Sequence, residues 1–133
     1  MTVKRVSVEC VDIQDTPGSL QELLQKAAAA NVDFACFAAF STGTGTGRVY
    51  LAGKDPQSLS GFLADNALQA TAAAGFIITD DDRVGAAAGA LKGLAEAGIN
   101  GLAGSAIVCN GSYQLLVVVD AADADAAAKA LGA

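Results

Sequence analysis

The sequence predicts an α+β fold built from two consecutive βαββαβ units, each an antiparallel sheet with its helices on one face. Two observations predict it. The 133-residue chain lies on itself without a gap at an offset of 67, so that Asp15 meets Asp82, Gly18 meets Gly85, Leu24 meets Leu91 and Ala30 meets Ala97. Self-similarity at a fixed period identifies the building unit. Within each copy the apolar period then switches between two and three-to-four in the order strand, helix, strand, strand, helix.

Residues 5–11 alternate, with Val6, Val8 and Cys10 on one face and Ser7, Glu9 and Val11 on the other, which predicts a first strand. Residues 12–19 supply turn chemistry. Thr16 or Asp15 is placed to cap a helix and Pro17 to take its first position. Leu20, Leu23, Leu24 and Ala27 recur at helical spacing and form one stripe as far as Ala30. Residues 32–41 and 48–53 read as a hairpin whose loop, residues 42–47, alternates threonine and glycine. Asp55 and Pro56 restart a helix as cap and first residue, with Leu59, Phe62 and Leu63 as its buried face.

The second copy reads as strand 75–79, helix 84–97, strands 99–109 and 112–120 around the Asn110-Gly111 turn, and helix 123–131. Residues 67–74 are extended in character and supply a fourth strand to the first unit. They run almost directly into the first strand of the second, so the units are expected at residues 1–70 and 71–133. The second unit lacks its own C-terminal strand, which predicts an open sheet edge. Strand-helix-strand-strand-helix-strand is the ferredoxin-like arrangement. Val11, Ile78, Val117 and Val119 are expected on the sheet face that the helices leave bare, where another unit or chain would cover them.

Composition narrows the function. The net charge of −6 provides no basic footprint for nucleic acid. Residues 67–79, the longest candidate span, are too few and too rich in Ala, Gly and Thr for a membrane helix of about 20 residues. Residues 1–5 lead into a strand pattern rather than an apolar signal block, so the expectation is a cytoplasmic protein without membrane partners. The absence of histidine removes the commonest neutral-pH acid/base and zinc ligand. Cys10, Cys36 and Cys109 have no metal or disulfide spacing and read as buried free thiols. Aromatic residues make up only 5% of the chain, so the core should be built from small side chains.

At Asp15-Thr16-Pro17-Gly18-Ser19-Leu20 the chain resembles the ACT domain, whose signature at the first strand-to-helix turn is D-x-P-G-x-L. The second copy keeps Asp82, Gly85 and the exit Ala97-Gly98-Ile99-Asn100, but has Val84 in place of the proline. The resemblance spans essentially the whole chain and extends to small stand-alone proteins made of two ACT units. It implies a regulatory protein that binds a small molecule, most often an amino acid, between two units. Carried over, the site comprises Gln14, Asp15, Thr16, Pro17, Gly18, Ser19 and Leu20 on one turn and residues 81–87, with Asp81, Asp82, Arg83, Val84 and Gly85, on the other. Asn31, Val32, Asn100 and Gly101 open the facing second strands. The resemblance implies a homodimer without catalytic residues, metal or cofactor. A regulatory or scaffold subunit that docks to a partner enzyme without a ligand is the alternative.

The residues support that chemistry independently. A turn that opens a helix presents unpaired amides to a carboxylate. Nearby Asp12, Asp15, Asp80, Asp81 and Asp82, or the side chains of Asn31 and Asn100, offer acceptors to an ammonium. Asp15 and Asp82 also read simply as helix caps. The run Asp80-Asp81-Asp82 lacks the alternating ligands of a calcium loop and reads as a solvated turn. Gly43-Thr44-Gly45-Thr46-Gly47 joins two strands and has no G-K-[ST], so it is a hairpin rather than a phosphate loop. Arg48 and Arg83 are surface cations, or partners for a ligand carboxylate. No nucleophile has a recognisable base.

Overall fold

The computed structural model describes all 133 residues. Six strands and four α-helices follow one another as β1 (Thr2–Gln14), α1 (Ser19–Ala29), β2 (Phe34–Ser41), β3 (Thr46–Gly53), α2 (Pro56–Asp65), β4 (Thr71–Asp81), α3 (Ala86–Glu96), β5 (Gly101–Cys109), β6 (Ser112–Asp120) and α4 (Ala124–Leu131). A short 3₁₀ turn over Ala121–Asp123 leads into α4. No helix is long and apolar enough to cross a membrane.

The chain forms two compact units, Ser7–Ala72 and Met1–Val6 with Ala73–Ala133. In the first, the strand order is β2-β3-β1. Here β3 lies antiparallel to both neighbours, with Val11 opposite Val49 and Val49 opposite Ala39. The core is formed by Val11, Val49 and Leu51 from the sheet, Leu23 and Ala27 from α1, and Leu59, Phe62 and Leu63 from α2. Each fully buried Leu or Phe contributes about 1.5–3 kcal/mol relative to exposure. α2 begins as its sequence dictates: Pro56 is the first residue, and the Asp55 carboxylate accepts from the Gln57 amide at 3.1 Å and the Ser58 hydroxyl at 2.8 Å.

In the second unit the order is β1-β4-β6-β5, where the β1 segment is Met1–Val6. Phe76, Ile78, Leu115, Val117 and Val119 from the sheet pack against Ala86, Ala90 and Leu94 of α3 and Ala124, Ala127 and Leu131 of α4. Val3 of β1 lies against this core. Arg5 pairs with Asp125 at 2.9 Å, and the N-terminal amine lies 3.6 Å from Asp80. The edge that the sequence leaves open beside the second repeat is therefore occupied by the start of the chain. The physical reason is length: the 13 residues of β1 reach about 43 Å at 3.3 Å per residue, enough for its two halves to serve different units. Likewise, residues 67–74 and 75–79 do not form two strands. Residues from Thr71 onward are one continuous β4, and residues 67–70 lie in the connection after α2.

Three further expectations are corrected. Val11, Ile78, Val117 and Val119 lie under the helices, within the two cores. Cys109 is exposed on β5 while Cys10 and Cys36 are half-buried, so the cysteines are not uniformly interior. The first helix of each repeat also starts two residues later than expected, at Ser19 rather than Pro17 and at Ala86 rather than Val84, because the preceding residues form turns.

All four helices end in one way. Asn31, Ala67, Gly98 and Gly132 take positive φ values of 59°, 54°, 71° and 74°. At each, the next amide reaches back into the last turn, as in Val32 N–H to the Ala27 carbonyl at 2.9 Å and Ile99 N–H to the Leu94 carbonyl at 2.9 Å. This is the left-handed helix-closing motif, for which glycine is the ordinary choice.

Candidate functional site

Both repeats make the same turn between first strand and first helix. In the first, the Ser19 amide donates to the Thr16 carbonyl at 3.2 Å, and Gly18 sits at φ 87°, ψ −11°. In the second, the Ala86 amide donates to the Arg83 carbonyl at 3.1 Å, and Gly85 sits at φ 84°, ψ 2°. A hydrogen bond across four residues with glycine left-handed in the third place is the type II turn, in which proline favours the second place. Pro17 occupies that place in one repeat and a fully exposed Val84 in the other. Loss of the proline has thus changed the chemistry of the second turn and not its conformation.

Neither helix is capped by a side chain, so Asp15, Thr16 and Asp82 are not the caps their positions predict. The left-handed glycine takes the capping position in each. Asp15 instead accepts from the Ser41 hydroxyl, and its amide donates to the Gly45 carbonyl at 3.1 Å, which ties the turn to the tip of the β2–β3 hairpin. Thr16 Oγ1 and Ser19 Oγ are 2.6 Å apart. The first amides of α1 have no partner within the helix.

Two hollows flank this turn, both within the Ser7–Ala72 unit. The larger, about 260 Å³, is bounded by Asp12, Ile13 and Gln14 at the end of β1, Ser19, Glu22, Leu23 and Lys26 along α1, and Asn66 and Leu68 after α2. Its apolar floor is Ile13, Leu23 and Leu68. Its rim carries both signs of charge. Asp12 is held by Arg48 at 3.0 Å, and Glu22 by Lys26 at 3.3 Å. The smaller, about 180 Å³, lies on the hairpin side among Gln14, Asp15, Thr16, Ser19, Leu20, Phe40, Ser41 and Arg48, over Ile13, Ala39, Gly47 and Val49.

The structure therefore brings Asp12, Gln14, Asp15, Thr16, Ser19 and Leu20 together, with Pro17 and Gly18 exposed on the turn between them. Asn31 and Val32 are elsewhere. They close the far end of α1, eleven residues or about 16 Å along the helix, Asn31 in the left-handed position and Val32 in the core. Asn100 and Gly101 follow the corresponding end of α3, and Gly101 starts β5 opposite Val119. Asp81, Asp82, Arg83, Val84 and Gly85 are exposed and line neither hollow. Near them, the Asp81 amide holds the Asp80 carboxyl below its usual range, helped by the terminal amine and Arg83. No three Cys, Asp or Glu side chains converge to hold a metal.

Ile13, Glu22, Lys26, Phe40, Ser41, Asn66 and Leu68 line the hollows without having been singled out in the sequence. One signal was available. The 67-residue offset sets Lys26 against Gly93. At Gly93, α3 approaches α4 so closely that a Cβ would lie 2.5 Å from the Ala130 carbonyl oxygen. Where the second repeat closes its helices together, the first carries a long cationic side chain beside an open space.

No protein-family profile and no curated protein matches the chain. The fold is similar to that of a protein from Bacteroides thetaiotaomicron at a TM-score of 0.74 and 16% identity, over 96% of this chain and 88% of that one. It is also similar to the regulatory subunit of aspartate kinase from Thermus thermophilus in its ligand-free form, at 0.64 and 16%, over 98% and 93%. The regulatory subunit from Thermus flavus gives 0.63 and 17%, over 98% and 94%.

Proposed function

We propose that this chain is a non-catalytic regulatory protein of two ACT units that binds an amino acid at the Thr16–Ser19 turn. The observation that carries the reading is the hollow of about 260 Å³ with both charges on its rim and an apolar floor. A zwitterion has a carboxylate, which the leading amides of α1, Ser19 and Lys26 suit, and an ammonium, which Asp12 and Glu22 suit. Its side chain then meets Ile13, Leu23 and Leu68. The likeness of fold to regulatory subunits of aspartate kinase supports a regulatory rather than a catalytic role.

Titration calorimetry and thermal unfolding against the twenty amino acids test this. A ligand that binds the folded state raises its melting temperature by mass action, about 2.7 kcal/mol of stabilisation at a hundred times Kd. Gly18→Asp puts a carboxylate beside the leading amides, where a Cβ meets nothing within 4 Å but the φ of 87° strains it by about 1–2 kcal/mol, so circular dichroism checks its fold. The variant should fold and lose the response. A flat panel for the wild type would remove the amino-acid reading.

A second reading, a subunit that docks to another chain, is favoured by β5. This edge strand contains no charged residue and exposes Leu102, Ile107 and Val108, whereas natural edges are ordinarily guarded by charge. A second copy or a partner enzyme is the occupant on that reading. Sedimentation of the wild type against Ile107→Lys tests it: the variant should remain folded and lose any association.

A further inference from the structure

The two hollows share Ile13, Gln14 and Ser19. Of these, Ile13 is the apolar residue packed against the core under the helices. Its position is set by register, because β1 pairs with β3 so that Ile13 stands opposite Gly47. A Cβ at residue 47 would lie 3.2 Å from Ile13 Cγ1 and 3.8 Å from Cδ1. The glycine thus leaves the space into which the isoleucine side chain leans, toward β3. Ile13 borders both the space beside α1 and Lys26 and the space beside the hairpin and Phe40.

We propose that Ile13 is the partition that sets ligand length at this site, confining it to a single amino acid that fills the larger hollow. The inference rests on the reading of the turn as an amino-acid site. Without the γ and δ carbons of Ile13 the two spaces become one trough, open to an aromatic side chain or to a dipeptide. A β-branched residue facing a glycine across a strand pair is a rigid wall, since its χ1 has little freedom.

The full-length wild type, Ile13→Val and Ile13→Ala are titrated calorimetrically with the twenty amino acids and a set of glycyl dipeptides. Ile13→Ala removes three carbons and should bind phenylalanine, tyrosine or a dipeptide about tenfold or more tightly than the wild type binds the same ligand, at least the step that one methylene is worth in an apolar pocket. Ile13→Val should move the preference in the same direction by less, and it decides the matter if the alanine variant does not fold. A wild type that binds an amino acid, with both variants ranking the ligands as it does, overturns the role of Ile13 and leaves the site intact. No binding by any of the three overturns both. A structure of Ile13→Ala should show one continuous trough, and two separate hollows would overturn the partition without reference to any ligand.

Discussion

Gly93→Ala and Gly89→Ala place the same methyl on the same helix, and the structure assigns them opposite effects on stability. Both exchanges raise helix propensity, by about 0.5–1 kcal/mol. At Gly89 the new carbon meets nothing within 4 Å, so that gain should appear in full. At Gly93 the carbon falls 2.5 Å from the Ala130 carbonyl oxygen and 3.3 Å from its carbon. Carbon contacts are optimal at about 3.5–4.0 Å, and backbone cannot swing aside as a side chain can. The two helices must move apart and loosen Leu94 and Ala127, an overpacking strain of about 1–3 kcal/mol. The variants should therefore differ by about 2 kcal/mol. In urea unfolding followed by circular dichroism, with a slope of about 1–3 kcal/mol/M, the Gly93→Ala midpoint should fall below the wild type and the Gly89→Ala midpoint rise above it. Gly93→Ala as stable as Gly89→Ala would refute the close approach of α3 and α4, and with it the contrast between the second repeat and the open space beside Lys26.

Two other outcomes are expected. Val84→Pro should stabilise the protein by about 0.4–1 kcal/mol, because the turn already has the conformation proline favours and the gain comes from a stiffer unfolded chain; a lower urea midpoint would mean that the two turns differ. Asp55 is held below its ordinary value of 3.8 by its hydrogen bonds to Ser58 and then to the Gln57 amide. A carboxyl with a depressed folded value contributes stability above the unfolded value and loses it as pH falls through the folded one. Asp55→Asn should therefore lose less stability between pH 7 and pH 3 than the wild type, measured by urea midpoints at each pH.

The parts legible in the sequence are those whose chemistry is local. Asp55-Pro56 fixes a helix start within three residues, Asn110-Gly111 fixes a hairpin through positive φ values of 53° and 76°, and Leu59, Phe62 and Leu63 mark a buried face by spacing alone. The turn at Gly18 was found for the same reason, although which residue caps the helix was not. Asp15 and Thr16 have good capping chemistry. A type II turn nevertheless spends the capping position on its glycine and leaves Asp15 to the Ser41 hydroxyl, 26 residues away.

The sequence by itself determined the two repeats, their order of elements and the turn at which a ligand site is proposed, since each follows from periodicity or from torsion preferences of neighbouring residues. Only the tertiary structure decided that Met1–Val6 belongs with the second repeat, held by pairs such as Arg5 with Asp125 across 120 residues. Strand pairing carries no local code, because any backbone can bond to any other and the choice rests on which edges are left when the chain has packed. The hollow beside the turn is of the same kind. It exists because α1 carries Lys26 where α3 has a glycine against its neighbour, and because Gly47 makes room for Ile13, and both conditions join residues that only the folded chain brings together.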